Sequence, residues 1–166
     1  MNFDRGKGDY KSLLVYKKAS IIFEITYYFC ENFLQQGDRT KDQMIQAARS
    51  GKQNIVEGCA SGVISLKNKI FLINVGKSSF KELLEDYEDY LVVHNHRKWE
   101  DGSIEQKAMR GLASKPENDK YIVIVAKNRS PDVIANMMIV LLNQTDYLLF
   151  RILKKLEEEY KKQRLP

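Results

Sequence analysis

Apolar residues recur at helical spacing along most of the chain. Over residues 10–34 they fall at Leu13, Leu14, Tyr16, Ala19, Ile21, Ile22, Phe23, Ile25, Tyr27, Tyr28, Phe29, Phe33 and Leu34, a wide stripe with the 3.6-residue period of a helix. Gly37 supplies its stop signal. A second helix follows, capped by Asp38 or Thr40 and running through Met44, Ala48 and Ile55 to about Ala60. Gly51 and Gly58 lie inside it. Each lowers helix propensity by about 1 kcal/mol relative to Ala, and a glycine within a helix lets another backbone approach closely. Ser61 and Gly62 break the pattern, and Ser65 caps a third helix from Leu66 to about His94. Ser130, Pro131 and Asp132 combine a cap, a proline at the first helical position and a carboxylate at the positive end of the dipole. They open a fourth helix that runs to about Lys162. Residues 1–9 are polar, contain two glycines and are expected to fray.

The segment 95–129 is different. It is polar and holds Trp99 and Pro116. Residues 103–112 read as a short helix capped by Ser103. Residues 121–126 are rich in β-branched side chains, but no second strand exists to pair with them and a lone strand is unstable. A short buried helix is expected there instead. The fold class is therefore all-α: one domain, 1–166, built as an up-down-up-down antiparallel four-helix bundle with a helical insertion, 95–129, between helices 3 and 4.

The fourth helix is apolar on every side over residues 137–142, and a helix of that kind has to be buried all round. In a bundle each helix turns only about half its circumference to the core. The first helix has a similar surplus at Ile21, Ile22 and Phe23 and at Tyr27, Tyr28 and Phe29. Two covers are open: further copies of the chain in a closed, symmetric oligomer, or the 95–129 insertion. Asn136, Asn143, Gln144 and Asp146 punctuate the fourth helix and are expected to fix register between subunits, as buried polar residues do in coiled coils. Asn54 and Glu57, one turn apart on the second helix, are expected to make structural hydrogen bonds.

Composition narrows the class. Of 166 residues 43% are apolar and 30% charged, which excludes a disordered chain. The longest unbroken apolar runs, 121–126 and 137–142, fall far short of the ~20 residues that span a bilayer. The opening has no apolar core of a secretory signal, and two cysteines do not make a disulfide scaffold. A cytoplasmic protein with no membrane partner is expected.

The charges are not scattered. Lys67, Lys69, Lys77 and Lys81 precede Glu82, Glu85, Asp86, Glu88 and Asp89 on the third helix, an order opposed to the helix dipole. Antiparallel folding gathers Lys11, Lys17 and Lys18, the start of helix 3, and Arg151, Lys154 and Lys155 at one pole. Glu24, Glu31, the acidic half of helix 3 and Asp132 gather at the other. With a net charge of +5, such a basic pole points to RNA or DNA backbone binding, salt-sensitive and with little sequence reading. The bland alternative is solvated lysines that serve solubility. The acidic pole is a candidate protein-docking surface.

No catalytic pattern emerges. His94 and His96 lack a third ligand, Cys30 and Cys59 lack a C-x-x-C partner, and phosphate-loop, nucleophile-elbow and zinc-protease motifs are missing. Cys59 stands at a helix end, where the dipole disfavours a thiolate. Glu85, Asp86 and Asp89 are spaced to hold a divalent cation weakly at most. No enzyme activity, metal or cofactor is expected.

The string from Gln43 to Gly58, with Ala47, Ser50, Asn54, Ile55, Glu57 and Gly58 in place, resembles the Q-x-R-R-A-x-x-S-I-x-x-N-I-A-E-G signature of the bacterial four-helix-bundle proteins linked to 23S rRNA intervening sequences. The stretch from Tyr10 to Ala19 and the string Ser79-Phe80-Lys81-Glu82-Leu83 resemble two further family motifs. Residues 38–44, 82–87, 134–136 and 146–149 look like its four helix bundle suffix domain branch. The resemblance covers about residues 10–155. It implies an up-down four-helix bundle assembled as a ring, typically a homopentamer, without enzyme activity. It also implies similarity to the accessory protein of diversity-generating retroelements, which works with a reverse transcriptase and nucleic acid. The signature's paired arginines fall at Ile45 and Gln46 here; Arg49 and Lys52 are the nearby cations that take their place as candidates. A non-enzymatic accessory factor that binds nucleic acid is the reading carried forward. Its alternative is a protein-interaction scaffold with no nucleic-acid contact.

Overall fold

The computed structural model describes residues 7–60 and 64–165. Among them the chain is all-helical, with six α-helices packing together: α1 Lys7–Phe33, α2 Arg39–Cys59, α3 Leu66–Val93, α4 Ile104–Ala113, α5 Asp119–Ala126 and α6 Pro131–Gln163. A single 3-10 turn, Pro116–Asn118, precedes α5. Residues 7–9, expected to fray, already belong to α1; residues 1–6 and the break at 61–62 lie outside the described residues.

Local chemistry sets the boundaries. Asp38, rather than Thr40, caps α2 by accepting the Thr40 N–H at 2.8 Å. Ser65 accepts from Asn68 N–H at 3.2 Å to start α3, and Ser103 accepts from Gln106 N–H at 3.3 Å to start α4. The Gln106 amide oxygen reaches back to the Gly102 N–H at 2.6 Å, a reciprocal arrangement close to a capping box. Gly37 adopts φ +87°, a backbone state that side chains disfavour, where the chain turns from α1 to α2. The β-branched run of α5 is helical because Ile122, Val123 and Ala126 share one buried face. Tertiary burial outweighs its strand propensity.

Helix α1 packs on α2 and α6, α2 on α3, and α3 on α6. Side-chain pairs set the heights. Glu31 meets Lys41 at 3.2 Å across the α1–α2 turn. The Thr26 and Tyr87 hydroxyls lie 2.8 Å apart between α1 and α3, and Lys77 reaches Asp146 at 3.1 Å between α3 and α6. Helices α2 and α3 run in opposite directions, with Gly51 against Phe80 and Gly58 against Ile73, and so do α3 and α6, with Lys77 against Asp146 and Arg97, just past the end of α3, against Asn136.

The α2–α3 contact is the closest. A Cβ on Gly51 would run into the Phe80 ring, and one on Gly58 would stand 2.7 Å from Ile73 Cγ1. One on Gly76 would stand 2.7 Å from Ile55 Cγ1 and 3.1 Å from the Gly51 carbonyl oxygen. Between these points the Ser50 and Ser79 hydroxyls lie 3.0 Å apart, and Asn54 donates to the Ser50 carbonyl at 2.8 Å. So Ala47, Ser50, Asn54, Ile55 and Gly58 form a packing seam. Glu57 is exposed and has no hydrogen bond or ion pair among the described residues, which corrects the expectation for it.

The insertion is a helical arm folded back on the body. It contacts α6 through α4 and α5, and α1 through α5. Every residue from 134 to 142 is buried within this one chain. The surplus on α6 is thus covered by the insertion, and it gives no reason for a second copy. Asn136 is also turned inward. It accepts from Trp99 N–H at 2.8 Å and donates to the Arg97 and Asp132 carbonyls at 3.0 Å each. Gln144 donates to the Arg110 carbonyl at 3.2 Å and Asp146 pairs with Lys77, while Asn143 is exposed. Asn136 and Gln144 thus dock the insertion and Asp146 docks α3, all within this one chain. By length and hydropathy α6 would also suffice to cross a membrane, a property that counting unbroken apolar runs does not detect; most of that stretch is buried in the core.

Replacing Gly76 with Val should destabilise the fold by about 2 kcal/mol or more, because the α2 backbone cannot yield. Gly111→Ala on α4, where a Cβ meets nothing within 4 Å, should instead stabilise by about 0.5–1 kcal/mol. Urea unfolding of both variants measures the difference.

Candidate functional site

Thr26 meets Tyr87 and Phe29 meets Tyr90, so α1 and α3 run the same way, while Asn136 and Asp146 of α6 meet Arg97 and Lys77 in reverse order. Lys11 of α1, Lys67 and Lys69 of α3, and Arg151, Lys154 and Lys155 of α6 therefore lie toward one end. Lys67, Arg151, Lys154 and Lys155 are exposed; Lys11 and Lys69 are half-buried. None of the six belongs to an ion pair among the described residues. The Arg151 guanidinium lies 6.0 Å from the centre of the Tyr147 ring. Glu157, Glu158 and Glu159 follow on the same helix, all exposed.

The other four candidate cations lie elsewhere. Lys18 is only 5% exposed and its Nζ is 2.5 Å from Asp119 Oδ1 at the start of α5. It is an internal ion-pair partner, not an interface residue. The physical reason is the insertion, which lays a carboxylate over that point of α1. Lys17, one residue earlier, is exposed along the groove between α1 and α5. Arg49 and Lys52 stand 5.9 and 5.0 Å from the centre of the Phe23 ring. Phe23 stacks on Tyr27, centroids 6.3 Å apart. The helical period that turns Gly51 and Ile55 into the seam turns Arg49 and Lys52 outward over the middle of α1, away from the basic end.

The acidic residues also divide. Glu31 and Glu24 are held by Lys41 and Lys127 at 3.2 and 3.0 Å. Asp132 is held below the usual carboxylate range, first by a hydrogen bond from Ser130. Glu82, Glu85, Asp86 and Asp89 join Asp42 along a groove of about 830 Å³ between α2 and α3, with Arg39 as its cation. Burial, then repulsion from Asp89, Glu82 and Glu85, pushes the Asp86 carboxyl up from 3.8 to about 6.

A second cavity, of about 790 Å³, opens between α1, α4 and α6. Leu14, Ala113, Ile139, Val140 and Leu148 form its apolar wall. Trp99 and Tyr147 are its aromatic lining, and Lys18, Lys98, Arg110 and Asp101 carry its charge. Nothing in the chain's local pattern marks this cavity, because its walls come from three separated segments.

The remaining candidates are quiet. His94 stacks on Tyr90 at 4.0 Å and His96 lies 6.3 Å beyond, both exposed. Among the described residues no group of three or more His, Cys, Asp or Glu side chains is placed to hold a metal ion. Cys30 and Cys59 are both buried, and burial pushes the Cys30 thiol up to about 12, far from a reactive thiolate. No family model matches this chain, and neither does any curated protein or solved structure.

Two outcomes are expected. Lys18→Met strands the buried Asp119 and should cost about 3–5 kcal/mol, whereas Lys18→Met with Asp119→Leu should recover most of that loss; a double-mutant cycle by urea unfolding decides it. For Asp86, the folded state binds the proton more tightly than the unfolded state. Its contribution to stability therefore falls as pH rises from about 4 to about 6 and stays low above. Asp86→Asn should melt above the parent at pH 7.5 and together with it below pH 4.

Proposed function

We propose that α1, α2, α3 and α6 constitute an up-down four-helix bundle with α4 and α5 as its insertion, and that its basic end binds the phosphate backbone of RNA or DNA. In this reading the protein is a non-enzymatic, cytoplasmic accessory factor related to the four-helix-bundle proteins linked to 23S rRNA intervening sequences. One observation carries it: six cations from three helices converge at one end without carboxylate partners. An unpaired cation is free to replace a phosphate counterion, and release of that counterion drives binding. The seam on α2 supports the family assignment, since its motif residues serve the α2–α3 contact that such a bundle requires.

Assembly into a ring, as the resemblance implies, belongs to the same proposal on narrower ground. The exposed Phe71, Tyr147 and Phe150 supply apolar surface for it; residues 137–142 of α6 do not.

A second reading rests on the carboxylate groove between α2 and α3. Five acids against Arg39 would suit a basic protein segment, and the chain would then be a scaffold without nucleic-acid contact.

Fluorescence anisotropy of a labelled RNA against salt separates the two. The first reading predicts that log K falls linearly with log salt, by about 0.7 per phosphate engaged on a single strand. Lys67→Glu, Lys69→Glu, Lys154→Glu and Lys155→Glu together should abolish binding while the helical circular dichroism is kept. Absence of binding at low salt, or undiminished binding by the folded variant, rejects it.

A further inference from the structure

We propose that the cavity between α1, α4 and α6 is a binding site for a small amphipathic anion, a flat aromatic body bearing a carboxylate. With the insertion in place α6 is buried over 137–142, yet about 790 Å³ stays open beside α1. That volume lies within the range of small-molecule sites, which pair apolar walls with a few convergent polar groups.

The lining defines the ligand. The apolar wall of Ile139, Val140 and Leu148 faces an enclosure that also holds Trp99 and Tyr147, and flat rings stack well on such side chains. Of its charged residues three are cations and one, Asp101, is acidic. Lys18 is buried and gives one N–H to Asp119; an ammonium has two more to offer. Lys98 is 3.7 Å from Glu88 at the rim. Arg110 is exposed and has no carboxylate partner among the described residues. Its planar fork matches a carboxylate through two parallel hydrogen bonds.

The frame of the cavity does not depend on the Arg110 guanidinium. Trp99 is held by its backbone N–H on Asn136, and α4 is tied to α6 by the Arg110 carbonyl, which accepts from Gln144. The Arg110 guanidinium can therefore be changed without loosening the walls.

Calorimetric titration of the whole chain with naphthalene-2-carboxylate, and with the uncharged naphthalene-2-carboxamide, tests the proposal. Emission from Trp99, the one tryptophan in the sequence, reports occupancy. The carboxylate should bind saturably, change the Trp99 emission and outcompete the amide by tenfold or more. Arg110→Gln combined with Lys98→Gln should remove that preference while the melting temperature is kept. Three results overturn the proposal: no saturable binding by the carboxylate, an amide that binds as tightly, or a folded variant that keeps the preference. If the variant does not fold, the comparison of acid and amide on the parent chain decides alone. Nucleic-acid binding plays no part in either readout, so the two proposals fail independently.

Discussion

A helix that is apolar around its whole circumference has to be enclosed, and α6 is such a helix. Over residues 134–142 each side chain is buried, and no pair of neighbours in a simple bundle can achieve that. Helices α1 and α3 cover two sides; α4 and α5 supply the rest. The long connection between α3 and α6 is therefore part of the core. Its docking explains the inward turn of Asn136, the carboxylate laid over Lys18 and the cavity left beside α1.

The α2–α3 seam obeys a complementary rule. Where α6 needs surrounding bulk, α2 and α3 need its absence. Gly51, Gly58 and Gly76 let the two backbones approach until the Gly76 position lies against the Gly51 carbonyl. The hydroxyls of Ser50 and Ser79 then meet across the seam, 3.0 Å apart. The family-like string on α2 is legible as this contact. Five of its six matching residues serve packing, and the sixth, Glu57, faces water.

Charge follows from both. The acids of α3 face the start of α2 along one groove, and burial first, then their mutual repulsion, pushes the Asp86 carboxyl up to about 6. Among the described residues the six cations at the opposite end belong to no ion pair, although the exposed Glu157, Glu158 and Glu159 follow them on α6. Carboxylates further along the fold are held by other cations. Glu24 and Glu31 go to Lys127 and Lys41, and Asp146 goes to Lys77.

The helices, their caps and their order were legible in the sequence because each depends on neighbours within a few residues. Ser65 and Ser103 cap as their positions announce, Asp38 does so where Thr40 was also open, and Ser130 stands at the start of α6 without a side-chain cap bond. The apolar period marks what turns inward. The sequence also held both possible covers for α6 but could not choose between them. That choice depends on where a distant arm lands, and a pattern of period 3.6 carries no such information. Lys17 and Lys18 show the limit. They are adjacent members of one basic run, identical in local context, yet one is exposed and the other is sealed against Asp119, 101 positions further on. Local sequence determined which segments became helices; only the tertiary fold decided which of their charges still meet water, since burial is set by whatever another part of the chain places on top.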